Sequence, residues 1–316
     1  MNKTLNILVT GCGGDIGQSL GKILLKSTFT KNLFGIDISD KNAAQFIFPN
    51  FSIGLRFSNY NYIQKLEAFV EENAIDIIIP IAELELRYFS ENNILDHIGK
   101  AKMITASAKA LDVGFDKYKT AQFLKSEGLP FPSTYLAKDV KTIDAFPVIL
   151  KSKTGSGSKD IHKINTKDEF LFYTRTHIED YIVQEYITDE NGEFTCGLYR
   201  SSKGEIRSQI FKRELHGGYS GYGEVIENET ITSLLEELAL KLDLVGSINV
   251  QLRIQDNSPK IFEINPRFSS TVFYRHLFGF EDLIWSIEDR LGLELSDNRK
   301  DAVGRKFYKG YEEYIK

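Results

Sequence analysis

The sequence predicts an α/β protein: a lobe of parallel strands and helices at the N-terminus, then lobes of mixed α+β character. Three observations carry that expectation. Apolar runs at residues 5–10, 33–38 and 75–81 alternate with helical patterns, as a buried parallel sheet requires. Beyond residue 140, strand-like runs follow one another across short turns, as in antiparallel sheets. At 316 residues the chain is also too long for one small core.

Residues 5–10 are an apolar strand, 11–17 a glycine-rich turn, and 16–25 a helix with Ile16, Leu20, Ile23 and Leu24 on one face. Residues 33–38 form a second strand, 63–70 a helix, 75–81 a buried strand and 103–106 another strand. Glu83 and Glu85 follow at the carboxyl edge, where open α/β sheets take ligands. They suit a cationic substrate group, and a solvated loop fits equally. Residues 116–127 are a helix opened by Lys117 and Lys119 and closed by Gly128 and Leu129-Pro130-Phe131-Pro132.

The strand at 146–151 ends in Lys151, and residues 152–158 bring two glycines and four hydroxyl side chains before a strand at 160–165. The lysine precedes the glycines, and the loop joins two strands, unlike a Walker loop; such a hairpin folds over phosphates or is a mobile turn. Strands at 182–187, 193–199 and 206–211 follow, the last ending in Lys212-Arg213. Residues 216–223, rich in glycine and tyrosine, form a loop long enough for a lid, and 230–242 is an amphipathic helix. The tail, residues 305–315, reads as an edge strand or a contact surface.

Residues 247–255 and 260–264 are β-rich runs around the turn-forming Asp256, Asn257, Ser258 and Pro259, so they read as a hairpin. With Gln255 opposite Pro259 or Lys260, Gln251 comes opposite Glu263 or one residue away. Glu263 and Asn265, two apart, share a face, so three oxygen donors gather beside Arg267. One carboxylate with two amide oxygens is too little charge to hold Mg²⁺ alone, but it suits a metal whose other ligands are nucleotide phosphates. Taken singly, the same residues also fit an ordinary turn.

Composition narrows the classes. Hydrophobic residues are 42% and charged ones 26%, which favours neither disorder nor a membrane protein. No apolar run approaches the roughly 20 residues of a membrane span. A net charge of −5 argues against a general nucleic-acid role. Cys12 and Cys196 form no paired metal motif and suit a reducing compartment. The N-terminus enters its first strand without a signal peptide, so the cytosol is expected.

The series of helix-start lysine, strand-Lys151-glycine loop, Gln184-Glu185-Tyr186-Ile187, Lys212-Arg213 and Gln251…Glu263-x-Asn265-Pro266-Arg267 resembles the ATP-grasp superfamily, most closely its carbamoyl-phosphate-synthase-like branch. That resemblance implies an ATP-grasp fold behind a Rossmann-like domain at 1–110, with a small lobe at 111–187 and a large lobe at 188–316. It implies that Lys117, Lys151 and the loop residues Gly155, Ser156, Gly157 and Ser158 contact ATP phosphates. Glu185, Tyr186 and Ile187 would meet adenine at the hinge, and Glu193 the ribose. Gln251, Glu263 and Asn265 would bind Mg²⁺, or Mn²⁺, with Asn265 also on the nucleotide side. Arg267, Lys212 and Arg213 would serve the transferring phosphoryl group or the acyl phosphate.

The implied activity is an ATP-dependent carboxylate–amine ligase acting on small molecules, with no nucleic-acid or membrane partner; a homodimer is compatible. Two departures stand out. Lys159-Asp160 replaces a family glycine in the loop, and a carbamoyl phosphate synthase large subunit carries two such units where this chain has one.

Two rival readings follow from other residues. Glycines at 11, 14 and 17, with Asp37 twenty residues on, resemble the dinucleotide turn of NAD-dependent nucleotide-sugar epimerases. Such an enzyme needs Tyr-x-x-x-Lys on a helix, and the one match, Tyr199 with Lys203, falls in a hairpin turn, so helix packing explains the glycines better. The third reading is an ATP-binding module without turnover.

Overall fold

The structure, a computed structural model, describes residues 4–155, 160–175, 179–188, 190–299, 302–310 and 312–315. Three sheets organise it. The first is built from β1 (Leu5–Thr10), β2 (Thr30–Asp37), β3 (Asn50–Ile53), β4 (Ile77–Pro80), β5 (His97–Ile98) and β6 (Ala101–Met103), in the order β3-β2-β1-β4-β6-β5. All its pairings are parallel except β5 with β6. The crossovers carry α1 (Asp15–Leu24), α2 (Ala44–Ile47), α3 (Tyr62–Glu72) and α4 (Glu83–Glu91).

Helices cover both faces, which is why β4 is apolar without alternation. Ile77 and Ile79 pack with α1 and α2, and Ile78 packs with α3 and α4. Two expectations shift here. The strand expected at 103–106 lies at Ala101–Met103, because Gly99 at φ 55° turns β5 tightly back onto β6. Glu83 and Glu85 open α4 instead of a solvated loop.

α5 (Ala108–Gly114) and α6 (Lys117–Ser126) lead to the second sheet. Asp116 caps α6, its Oδ1 accepting from the Tyr118 and Lys119 amides at 2.8 and 3.2 Å. The second sheet comprises β7 (Thr134–Leu136), β8 (Val148–Ser152), β9 (Ile161–Ile164) and β10 (Tyr181–Glu185), ordered β7-β10-β8-β9, with α7 (Lys167–Thr174) alongside. Its pairings are antiparallel.

The third sheet, also antiparallel, runs β15-β14-β11-β12-β13-β16. Its strands are β11 (Glu193–Arg200), β12 (Ile206–His216), β13 (Tyr219–Ile226), β14 (Gly246–Gln255), β15 (Ser258–Asn265) and β16 (Lys306–Tyr308). α8 (Glu229–Lys241), α9 (Val272–Leu277) and α10 (Asp282–Leu291) complete the lobe. Ile231, Leu234, Leu235 and Leu238 form one face of α8 at helical spacing and bury it on the sheet beside α5 and α6. Each such side chain contributes roughly 1.5–3 kcal/mol on burial.

Residues 216–223 are not a lid loop. β12 continues to His216, Gly217 and Gly218 turn at φ 59° and 87°, and β13 starts at Tyr219, because two left-handed glycines make a turn that matches strand twist. The tail supplies the edge strand β16.

Candidate functional site

The floor of the site is the β14–β15 hairpin, closed by Asp256 and Asn257 at φ 51° and 59°, the paired left-handed geometry of a type I′ turn. That tight turn sets Gln255 opposite Ser258, one or two residues from the expected register. A bulge at Phe262 absorbs the offset: Leu252 pairs Ile261, and Gln251 then pairs Glu263. The bulge also lets Ile261 and Ile264, three apart, both enter the core while Glu263 faces the cleft. Asn249 faces Asn265 one step along, and the Asn265 amide donates to Glu263 Oε1 at 3.2 Å.

A cleft of about 340 Å³ lies over this floor, between the three sheets. Lys151 enters from the end of β8 and Lys117 from the first residue of α6, the Lys117 ammonium donating to the Gly155 carbonyl at 2.7 Å. Arg213 reaches in from β12, donating to Gln251 Oε1 at 2.8 Å and to Ser220 Oγ at 3.2 Å. Arg267 stands just beyond β15, its side chain 11% exposed and 4.0 Å from Glu83 Oε2.

Charge balance here is tight. Burial alone would raise the Glu263 carboxyl, but Lys117, Lys151, Arg213 and the Asn265 amide together outweigh it and hold it below its ordinary range. Burial pushes Lys151 down to about 8, opposed by Glu263 and reinforced by Lys117 and Arg253. Its ammonium lies 5.5 Å from the ring centroid of Phe262, the bulged residue. Burial likewise lowers Arg267, against Glu83, Glu263 and Asp15. A concave surface carrying two carboxylates, Glu263 and Asp15, against the four cations Lys117, Lys151, Arg213 and Arg267 keeps an excess of positive charge for a polyanion.

The structure brings Lys117, Lys151, Gly155, Arg213, Gln251, Glu263, Asn265 and Arg267 onto this one cleft. It does not bring Lys212 there: neighbours on a strand point to opposite faces, so Lys212 is exposed and its chain lies over Gly192. Glu193 is buried with both oxygens engaged, Oε1 by Arg213 at 2.7 Å and Oε2 by Arg253 at 2.7 Å. Glu185 accepts from Lys260 at 2.7 Å, the Ile187 carbonyl accepts from Arg253 at 2.7 Å, and the Lys163 ammonium sits 4.0 Å over the Tyr186 ring. Ser156, Gly157 and Ser158 lie outside the described residues.

Cleft residues that sequence reasoning missed include Asp15, Asn249, Tyr219, Ser269 and Ser270. Asn249 was within reach, being two residues before Gln251 and so on its face. Among the N-terminal glycines Gly17 serves packing, whereas a Cβ on Gly14 would meet nothing. A Cβ on Gly17 would meet the Cys12 backbone at 2.5 Å, and the Gly13 amide donates to Asp37 Oδ2 at 2.8 Å, which turns the acidic residue onto the glycine turn itself.

Among the described residues no group of three or more His, Cys, Asp or Glu side chains forms a metal cage. The donor set of Gln251, Glu263 and Asn265 fits a hard cation only where phosphate oxygens complete the shell. No helix among the described residues is long and apolar enough to cross a membrane.

Residues 115–271 match the ATP-grasp domain family. The carbamoyl phosphate synthase large chain of Caldanaerobacter subterraneus subsp. tengcongensis is 26% identical over 196 residues, 55% of this chain and 18% of that one. The chain thus spans less than a fifth of the first such large chains that it matches. An N5-carboxyaminoimidazole ribonucleotide synthetase in its ADP complex superposes with a TM-score of 0.75 at 16% identity, covering 95% of this chain and 80% of that one. A Campylobacter jejuni biotin carboxylase with a bound ATP analogue gives 0.70 at 15% identity, over 93% and 72%. Likeness at that identity is likeness of fold.

Proposed function

We propose, from the match of residues 115–271 to the ATP-grasp domain family, that the cleft binds ATP and phosphorylates a small carboxylate, whose acyl phosphate an amine then captures. The observation that carries this reading is the pairing of Gln251 with Glu263 beside Asn265, ringed by Lys117, Lys151, Arg213 and Arg267.

In the proposed mechanism Lys117 and Lys151 would hold the phosphates from the second sheet's side, and Gln251, Glu263 and Asn265 would hold Mg²⁺ from the third. The metal would supply charge neutralisation at the phosphate oxygens. A substrate carboxylate oxygen attacks the γ-phosphorus: the new O–P bond forms as the bond to ADP breaks, and Arg267 faces the charge on the group in flight. The amine nitrogen then attacks the acyl carbon; the C–N bond forms, the C–O bond breaks, phosphate leaves, and the nitrogen sheds a proton to solvent. Positioning and charge neutralisation suffice for both steps, so no protein nucleophile is needed.

Arg213 now holds the Gln251 oxygen, and a bound phosphate would draw it away. Glu185, Tyr186 and Ile187 stand at the junction of second and third sheets, where adenine would lie. At Glu193 a ribose hydroxyl would share the carboxylate with two arginines. Lys212, facing away, has no role in this scheme.

Glu263→Ala is expected to lower Mg²⁺-dependent ADP release by about 100-fold or more, the scale of removing a key electrostatic group. The assay is ADP release over a panel of amino acids and small carboxylates, with hydroxylamine trapping the acyl phosphate. Undiminished activity in the variant would sink the assignment.

A further inference from the structure

A second cleft, of about 740 Å³, opens in the N-terminal lobe, at the carboxyl ends of β1, β2, β3 and β4. Its volume suits a small molecule and not a peptide helix. Ile36, Leu66 and Phe69 form apolar walls between α3 and the first sheet. The rim leaves large apolar side chains in solvent: Ile53 is 63% exposed, Leu84 60%, Ile38 48% and Leu55 38%. Four such residues around one opening form a patch, which marks a binding surface more than an accident of packing.

One end of this cleft is acidic. Glu85 lies at its floor, taking hydrogen bonds from Thr10 Oγ1 at 2.7 Å and from the Tyr62 hydroxyl, so that carboxyl is already committed. Glu83 is different. Its oxygens lie 3.7 Å from Arg87 and 4.0 Å from Arg267, both longer than a charge-assisted hydrogen bond, so it keeps lone pairs for a cation. Arg56 and Lys65 also line the cleft. Because Arg267 also lines the nucleotide cleft, Glu83 stands where the two clefts approach each other.

We propose that this cleft is the acceptor subsite and takes a primary amine with an apolar body, its ammonium at Glu83 and its apolar part between α3 and the strands β2 and β3. The proposal rests on the ligase reading above for its place in the reaction, while the site itself stands on the cleft. An amine held at Glu83 is one side chain from Arg267, where the acyl phosphate is proposed to form. A carboxylate would meet Glu83 and Asp37, which line the same cleft, and like charges repel.

Calorimetric titration of phenylethylamine and isoamylamine, with phenylpropanoate as the anionic counterpart, tests the site directly. Ala68 lines the cleft from the exposed surface of α3, so Ala68→Trp fills the cleft without entering the core. Ala68→Trp and Glu83→Gln are each expected to weaken amine binding about tenfold or more, with circular dichroism checking that both variants fold. Absence of amine binding, affinity untouched by both substitutions, or preference for phenylpropanoate overturns the proposal. Hydroxamate formation separates the two readings: amine binding lost in the variants without hydroxamate from any acid removes the ligase and keeps the site, and the reverse pattern does the opposite.

Discussion

Lys151 shows how burial tunes a single residue for its task. An ammonium 4% exposed is held near a pKa of about 8 because desolvation outweighs the pull of Glu263. Its charge is complete well below pH 8 and lost as pH rises through it, so phosphate binding should weaken in the alkaline direction. The dissociation constant for ADP is expected to rise about tenfold between pH 7 and pH 9, and Lys151→Arg, which cannot titrate there, should flatten the profile. A profile that is flat in the wild type would remove Lys151 from the phosphate site. Arg213 adds a second lesson: donating to both Glu193 and Gln251, it keeps two oxygen acceptors in place.

Among the elements, α6 and the β14–β15 hairpin do most to place the site. Lys117 is the first residue of α6, so the Asp116 cap both closes the helix and aims the lysine. Asp116→Ala should cost about 1 kcal/mol in chemical denaturation and also lower ADP affinity; lost stability with unchanged affinity would show that the cap acts on the helix alone. The hairpin was legible from its turn residues and from Glu-x-Asn-Pro-Arg, because left-handed Asp and Asn and period-two strands are local properties. The bulge was hidden. Counting by twos puts Ile261, Glu263 and Asn265 on one face, and only the need to bury both Ile261 and Ile264 forces the extra residue at Phe262. The glycines at 217 and 218 misled for the opposite reason: composition suggested a loop, while cross-strand pairing made a hairpin.

In the molecule as a whole, the cleft exists only where three sheets meet, so a ligand bound there should stabilise all of them together. MgATP at 100 times its dissociation constant is expected to add about 2.7 kcal/mol, read as a rise in melting temperature, and Glu263→Ala should erase most of the part that depends on Mg²⁺. An equal rise in that variant would place the metal elsewhere. Behind the floor, the Arg275–Asp282 pair is wholly buried, with Ser247 donating to Asp282 at 2.6 Å, and it ties α9 and α10 to β14. Asp282→Ala leaves the arginine unpaired in the core and should cost about 3–5 kcal/mol, measured by denaturant titration.

The sequence by itself determined the fold class, the parallel N-terminal sheet and the hairpin with its oxygen donors, because periodicity, turn chemistry and residue type act over a few neighbours. Tertiary structure alone decided which cations reach the cleft. Arg213 enters it and Lys212 does not, since one residue on a strand reverses the face, and the faces are set by what the sheet packs against. It also decided that Glu83 and Arg267, 184 positions apart in the chain, stand 4.0 Å from each other. That approach joins two clefts, and no local pattern encodes it, because it depends on how the first and third sheets pack together.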